Sequence, residues 1–221
     1  MKKELVKRFL SSLIILPIAL LFVIHGSVFF IFFLSTLLLI TSYEWIKMSK
    51  KKHFNKIFGV IFLIFSFYSA FQLRNYAGLN LFLFIVLICI FTDIGGYIFG
   101  KIFKGPKLTK ISPNKTYSGA IGSFILPVIA GLVYTNHLGL PLSIIVQLKL
   151  SEVSNNYELT FLFFILTISI ISQIGDLIIS YFKRLSKVKD TGKILPGHGG
   201  ILDRVDGLIF VIPILYLFII L

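Results

Sequence analysis

The chain contains nine acidic residues, and five of them sit where charge is costly: Asp93, Asp176, Asp190, Asp203 and Asp206 lie in or beside apolar and glycine-rich segments. Asp176 is set in the run Ile171-Ser172-Gln173-Ile174-Gly175-Asp176-Leu177-Ile178-Ile179-Ser180-Tyr181-Phe182-Lys183-Arg184. A carboxylate in such an apolar run costs about 3 kcal/mol unless it is paired or binds a metal. Helical spacing puts Ser169, Ser172, Asp176, Ser180 and Lys183 on one stripe. Two readings follow: a structural pair between Asp176 and a Lys or Arg, or a metal or phosphate site facing the interior of a helix bundle. Asp93 repeats the arrangement in Asp93-Ile94-Gly95-Gly96-Tyr97-Ile98-Phe99-Gly100. There Gly96 and Gly100 form a small-xxx-small pattern that lets helices approach closely.

Two loops carry complementary groups. The first, Lys107 to Gly119, offers Lys115 with the Ser112 and Thr116 hydroxyls beside a helix start. Backbone donors and the positive dipole end there suit a phosphate. The second, Lys187 to Gly207, is denser. Gly197, Gly199 and Gly200 allow a ligand close to the backbone, and Asp203 and Asp206 are three apart, so one helical turn places both carboxylates on one face. A few carboxylates acting with nucleotide phosphates are a common way to hold Mg²⁺. The chain has 18 Lys and only four Arg, yet two of those are Arg184 and Arg204, whose planar forks make bidentate phosphate contacts. His198, between glycines, suits a phosphate donor or an acid/base. No second His or Cys stands at zinc-ligand spacing, so a zinc role is not expected. Glu4 and Glu44 read as solvated cytoplasmic surface, and Glu152 and Glu158 as solvated surface on the other side.

These groups need elements to hold them. The chain is 57% hydrophobic and 14% charged, too apolar for a soluble domain of its size. Apolar runs at about 9–25, 27–43, 57–73, 80–100, 117–135, 158–182 and 207–221 predict seven membrane-spanning helices. A further segment, Leu138 to Leu150, holds Pro141 and Lys149 and reads as interfacial or re-entrant. The first run follows Lys2, Lys3, Lys7 and Arg8 without a small-x-small cleavage site, so it reads as an uncleaved helix. With the N-terminus in the cytoplasm, residues 1–8, 44–56, 101–115 and 183–206 carry 4, 5, 5 and 6 Lys and Arg, and only Arg74 and Lys149 fall outside. This asymmetry predicts the orientation. The net charge of +13 is thereby explained by loops facing anionic lipid, not by nucleic acid. The lone Cys89 excludes an internal disulfide and a Cys-based metal cluster.

The expectation is therefore an all-α, polytopic transmembrane helical bundle forming one integral membrane domain over residues 1–221. Residues 1–79 supply N-terminal spans, and residues 80–221 a catalytic region with cytoplasmic loops 101–116 and 183–206. Its chemistry would be an Mg²⁺-dependent site for phosphate-rich substrates that opens onto the bilayer, with a lipid phosphate as the natural partner.

Ser180 through Asp206 resembles the signature of the phosphatidate cytidylyltransferase (CDP-diacylglycerol synthase) family. The matching positions are Ser180, Phe182, Lys183, Arg184, Lys189, Asp190, Gly192, Leu195, Pro196, His198, Gly199, Gly200, Ile201, Asp203, Arg204, Val205 and Asp206. Asp93, Tyr97 and Gly100, and Ile111-Ser112-Pro113-Asn114-Lys115-Thr116, are similar to the family too, so the resemblance covers about the C-terminal three-fifths of the chain. Two features depart from it. Tyr117-Ser118-Gly119 stands where the family has aromatic-Glu-Gly, and the N-terminal half is short for the family.

The resemblance implies that CTP and phosphatidic acid give CDP-diacylglycerol and pyrophosphate, with no protein nucleophile, in a bacterial cytoplasmic (inner) membrane. It implies Asp176, Asp203, Asp206 and Asp93 as ligands of Mg²⁺, with a second, monovalent cation such as K⁺ nearby. Asp176, Asp203, Lys183 and Arg204 would be catalytic. Ser180, Arg184, Lys189, Asp190, His198, Gly199, Gly200, Lys115 and Thr116 would bind substrate. The close-packing glycines also fit a homodimer. A lipid kinase acting on a polyprenol or phytol, a CTP-dependent archaeal-lipid synthase and a transporter are the competing readings.

Overall fold

The computed structural model describes residues 17–49, 53–109, 111–138, 157–194 and 199–220. His198 and Gly197, Lys110, the start of the first expected span and nearly all of the Leu138–Leu150 segment lie outside them. Among the described residues the apolar runs are helices, which satisfy every backbone polar group internally and so suit hydrocarbon. These are α1 (Ser27–Met48), α2 (His53–Phe103), α3 (Tyr117–Leu138), α4 (Tyr157–Leu185), α5 (Leu202–Val205) and α6 (Leu208–Ile220). Residues 17–25 are helical ahead of α1. The described residues contain no strand, only a single bridge between Lys107 and Thr116.

Helices α1 to α4 are long and apolar enough to cross a membrane. Large side chains such as Val28, Leu39, Phe54 and Phe163 are exposed, as a surface turned to lipid requires. Helix α6 has 13 residues, about 20 Å at the α-helical rise, which is shorter than a hydrocarbon core.

Two reversals fold the chain. Gly78 adopts φ 83° and ψ 167°, a conformation open to glycine and strained for other residues. It divides α2 into two arms at the boundary expected between the 57–73 and 80–100 runs. The arms lie side by side: Ser66 and Ile90, about 36 Å apart in a straight helix, border one cavity. The helix over 17–25 likewise turns back on α1, since the Phe22 ring stacks on Phe33 at 5.7 Å. Arg74 fastens that turn, donating from Nε to the Val23 carbonyl at 2.8 Å.

Apolar burial gives little driving force between helices in lipid, so close packing and hydrogen bonds between helices must supply specificity. The second arm of α2 packs backbone to backbone on α3. A Cβ on Gly95 would stand 2.2 Å from the Gly122 carbonyl oxygen, and one on Gly119 2.7 Å from that of Gly96. The glycine pattern seen in the sequence thus serves packing within the chain. Ser66 Oγ donates to the Ile209 carbonyl at 2.7 Å, Ser123 Oγ to that of Thr92 at 2.8 Å, and the Thr92 and Ser169 hydroxyls meet at 2.9 Å. Around them Phe84, Ile85, Ile88, Ile165, Ile168 and Val211 are buried.

Helix α1 does not stop with its apolar run at residue 43 but continues to Met48. The expectation that Glu44 is solvated surface is wrong: its exposure is 1%, and that of Trp45 is 4%. Both lie on the buried stripe that runs through Phe30, Leu34 and Thr41. Trp45 packs on Phe182 of α4 at 4.9 Å and donates from Nε1 to the Asn55 carbonyl at 2.9 Å.

Candidate active site

The stripe read on α4 faces inward. Ser169, Ser172 and Ser180 are buried, and Asp176 and Lys183 border a polar cavity of about 380 Å³. Asp93 and Tyr97 reach that cavity from the second arm of α2, Lys115 and Thr116 from the loop before α3, and Asp203, Arg204 and Asp206 from α5 and its end. Residues separated by more than a hundred positions therefore share one space.

Local chemistry explains how the loops get there. The segment 104–116 doubles back, with the Leu108 amide donating to the Lys115 carbonyl at 2.8 Å and the Tyr117 amide to the Pro106 carbonyl at 3.2 Å. Thr116 caps α3, its Oγ1 accepting the Gly119 amide at 3.1 Å. This turn sets Lys115 over Asp176, Nζ to Oδ2, at 2.6 Å. Ser180 Oγ also donates to Asp176 Oδ1, at 3.3 Å.

Across the cavity, Lys183 pairs with Asp203 at 2.8 Å, both side chains nearly buried. Asp203 Oδ2 in addition accepts the Thr191 amide at 2.8 Å, the Thr191 hydroxyl at 3.0 Å and the Gly200 amide at 3.1 Å. Three of those four donors fall on Oδ2, whereas Oδ1 meets Lys183 alone and keeps one acceptor site.

Asp206 is surrounded differently. It is buried and accepts the Gly207 amide at 3.0 Å. Burial first, then the charges of Asp176 and Asp93, push its carboxyl well above the ordinary carboxylate range. In its protonated form it donates to Asp176. Three carboxylates, Asp93, Asp176 and Asp206, thus face two cations, Lys115 and Arg204, while Lys183 is engaged with Asp203. The amide nitrogen of Gln173, which also borders the cavity, is buried without a hydrogen-bond partner. When Asp206 carries its proton the remaining carboxylates are matched by Lys115 and Arg204, and a bound cation would take that proton's place. Among the described residues no three His, Cys, Asp or Glu side chains are grouped to hold a metal by themselves, so an ion here would need ligands from a substrate.

Other expected residues fall elsewhere. Arg184 donates from Nε to the Ile111 carbonyl at 3.2 Å and from one terminal nitrogen to that of Val188 at 3.5 Å, so it ties α4 to the loop before α3 outside the cavity. Lys189 borders a separate cleft with Lys47 and Lys193, and Asp190 lies between that cleft and the polar cavity. Ser118, at the departure from the family pattern, donates to the Lys104 carbonyl and does not border the cavity. Residues the sequence reading passed over are Asn114 and Gln173 in the cavity wall, and Glu44 behind it. The helical phase of Glu44 with Leu34 and Thr41 was the available signal for the last.

Arg204 has a second environment. It also closes the end of an apolar cavity of about 260 Å³, lined among others by Phe30, Leu34, Phe67, Phe82, Val86 and Ile212. One residue, Arg204, therefore borders both a polar space and a hydrocarbon-lined one.

Residues 53–221 match the model of the cytidylyltransferase family. The chain is similar to the phosphatidate cytidylyltransferase of Brucella suis biovar 1 (strain 1330), 40% identical over 162 residues, covering 71% of this chain and 54% of that protein. It is similar also to the proteins of that name from Staphylococcus haemolyticus (strain JCSC1435), 42% identical over 139 residues and covering 62% of this chain and 48% of that protein, and from Staphylococcus saprophyticus, 43% identical over 141 residues with the same two coverages. The chain spans about half the length of these curated relatives.

Proposed function

The chain belongs to the cytidylyltransferase family, and we propose that it transfers the cytidylyl group of CTP to phosphatidic acid, giving CDP-diacylglycerol and pyrophosphate. The observation that carries this reading is Arg204 at the wall between the polar and apolar cavities. A phosphate on a lipid is the ligand that needs both at once.

In this reading a phosphatidate oxygen forms a bond to the α-phosphorus of CTP. The bond from that phosphorus to the oxygen bridging to the β-phosphate breaks, and pyrophosphate leaves with the electron pair. No protein nucleophile is required, so catalysis is positioning and charge neutralisation. Arg204 and Lys115 lie where they would orient the phosphates, and Lys183 would do so while holding Asp203. Asp176, with Asp206 and Asp93, would hold Mg²⁺ together with substrate phosphates, since Mg²⁺ commonly takes one or two protein carboxylates and completes its shell elsewhere. The ion would neutralise charge on the phosphates, and K⁺ is proposed as a second, monovalent cation at the same carboxylates.

Seven crossings with the loops 101–116 and 183–206 in the cytoplasm of a bacterial inner membrane are part of the proposal, supported by the distribution of Lys and Arg. So is a homodimer, whose test is the mass of the detergent-purified protein. The function is tested by supplying that protein with α-³²P-labelled CTP, phosphatidate and Mg²⁺. Label should move into a chloroform-soluble product and stay in water when EDTA is added. Transfer of γ-label to the lipid instead would identify a kinase and overturn the reading.

A further inference from the structure

We infer that Glu44 is a positioning residue for the proposed transfer: from α1, outside the segment matched by the family, its carboxylate clamps the loop that presents Asp203 and Arg204. The inference rests on the function proposed above but stands on separate observations. Glu44 Oε1 accepts the Ile201 amide at 3.1 Å, and Oε2 accepts the Leu202 amide at 2.8 Å and the Thr191 hydroxyl at 3.1 Å. These partners lie at both ends of the loop, 147 and 158 positions along the chain for Thr191 and Leu202. The same Thr191 donates to Asp203 through its backbone amide, its one hydroxyl proton being shared between the two carboxylates, and Leu202 begins the turn that carries Asp203 and Arg204. Glu44 is therefore one hydrogen-bonded residue away from the Lys183–Asp203 pair.

The space around Glu44 is shaped for it. A Cβ on Gly192 would stand 2.3 Å from Oε1, and one on Gly200 would stand 2.5 Å from Oε2 and 2.1 Å from the Thr191 hydroxyl. The glycine at 200, expected from the sequence to let substrate approach, is required on this side by a carboxylate of the protein itself. A buried carboxylate without a basic partner among the described residues is retained at a cost. Three donors converging from a distant loop account for it here, because an amide in its place puts an N–H against an N–H or hydroxyl donor on one side or the other.

The test uses Glu44→Gln, Gly200→Ala and the double variant of the full chain, with rates expressed per monodisperse folded protein. Glu44→Gln should lower kcat about 10- to 100-fold, the scale of a small displacement of positioned groups, with KM for CTP within about threefold. Gly200→Ala should do the same by displacing the Glu44 carboxylate, and the double variant should be no worse than the poorer single one, because both act through one contact. Wild-type kcat in folded Glu44→Gln, or effects that multiply in the double variant, would overturn the inference. If Glu44→Gln does not fold, Gly200→Ala alone carries the same kcat-against-KM reading.

A wild-type protein that transfers no label would sink the proposed function and not the clamp. Trypsin cleavage after the exposed Lys193 should still be faster in Glu44→Gln than in the wild type. Equal cleavage rates would then count against the clamp directly.

Discussion

Asp203 and Glu44 on one side of the cavity, and Asp93, Asp176 and Asp206 on the other, are acidic groups gathered at one end of the same bundle. Their surroundings differ. Asp203 and Glu44 accept seven contacts from six donors: Lys183, the backbone amides of Thr191, Gly200, Ile201 and Leu202, and the Thr191 hydroxyl, which the two carboxylates share. Asp93, Asp176 and Asp206 crowd one another, and burial with the charges of Asp176 and Asp93 raises the Asp206 carboxyl above the ordinary range. The first pair is built to hold a loop in place. The second group shares a proton and faces Lys115 and Arg204 across an open cavity, an arrangement that a cation and phosphates can enter by displacing that proton.

The largest expected effect separates the two by stability. Asp203→Ala removes a nearly buried ion pair and leaves Lys183 and two loop amides without a partner. Breaking such a pair costs about 3 kcal/mol, a fall in Tm of roughly 6–12 °C for a chain of this size. Turnover should disappear while the protein remains in the membrane. Asp176→Asn should also lower kcat, by about 10²- to 10³-fold, but with a much smaller change in Tm, because its partner Lys115 is partly exposed. Thermal melts and transfer rates on the same preparations make the comparison. Equal destabilisation by both variants would erase the distinction, and substantial activity in Asp203→Ala would remove Asp203 from the chemistry.

Asp206 sharpens the contrast because its sign is opposite. Its carboxyl is held above the ordinary range by burial and by its acidic neighbours. The unfolded chain gives up that proton near pH ~4, whereas the folded chain keeps it to higher pH. Between those two values the folded state binds the extra proton, so stability falls as pH rises through the window. Asp206→Asn removes this loss. In EDTA at pH 7 the variant should melt about 2–4 °C above the wild type, the shift for roughly 1 kcal/mol, although it loses activity. Mg²⁺ should raise the wild-type Tm by mass action and raise the variant's less. A lower Tm for Asp206→Asn in EDTA would mean that Asp206 is a structural acceptor like Asp203.

What the sequence made legible divides along the same line. The apolar helices and the Ser169–Lys183 stripe were readable because apolar length and helical period are local properties, and the structure places that stripe inward. Glu44 was misread because its environment is made by residues about 150 positions away, and a carboxylate beside five Lys looks solvated when judged by neighbours in sequence. Arg184 and Arg204 looked equivalent by residue type. A guanidinium serves carbonyls as readily as phosphates, however, and only the packing of the loop before α3 against α4 assigns Arg184 to carbonyls. The Lys183–Asp203 pairing likewise depends on how the loop closes, which no spacing records.

The smallest expected effect concerns the position where the chain departs from its family. A missing carboxylate at Ser118 suggests a lost catalytic group if the sequence is read alone. In the structure Ser118 lies in the first turn of α3, donates to the Lys104 carbonyl and does not border the cavity. Ser118→Glu loses that hydrogen bond, worth about 1 kcal/mol, and gains a carboxylate at a helix N-terminus, worth about 0.3–1 kcal/mol. The two nearly cancel, and neither acts on the reacting groups. The variant should therefore match the wild type in Tm within about 2 °C and in kcat/KM within about threefold. A tenfold gain would show that a carboxylate at 118 reaches the substrate, and would move this residue into the group that Asp93, Asp176 and Asp206 form.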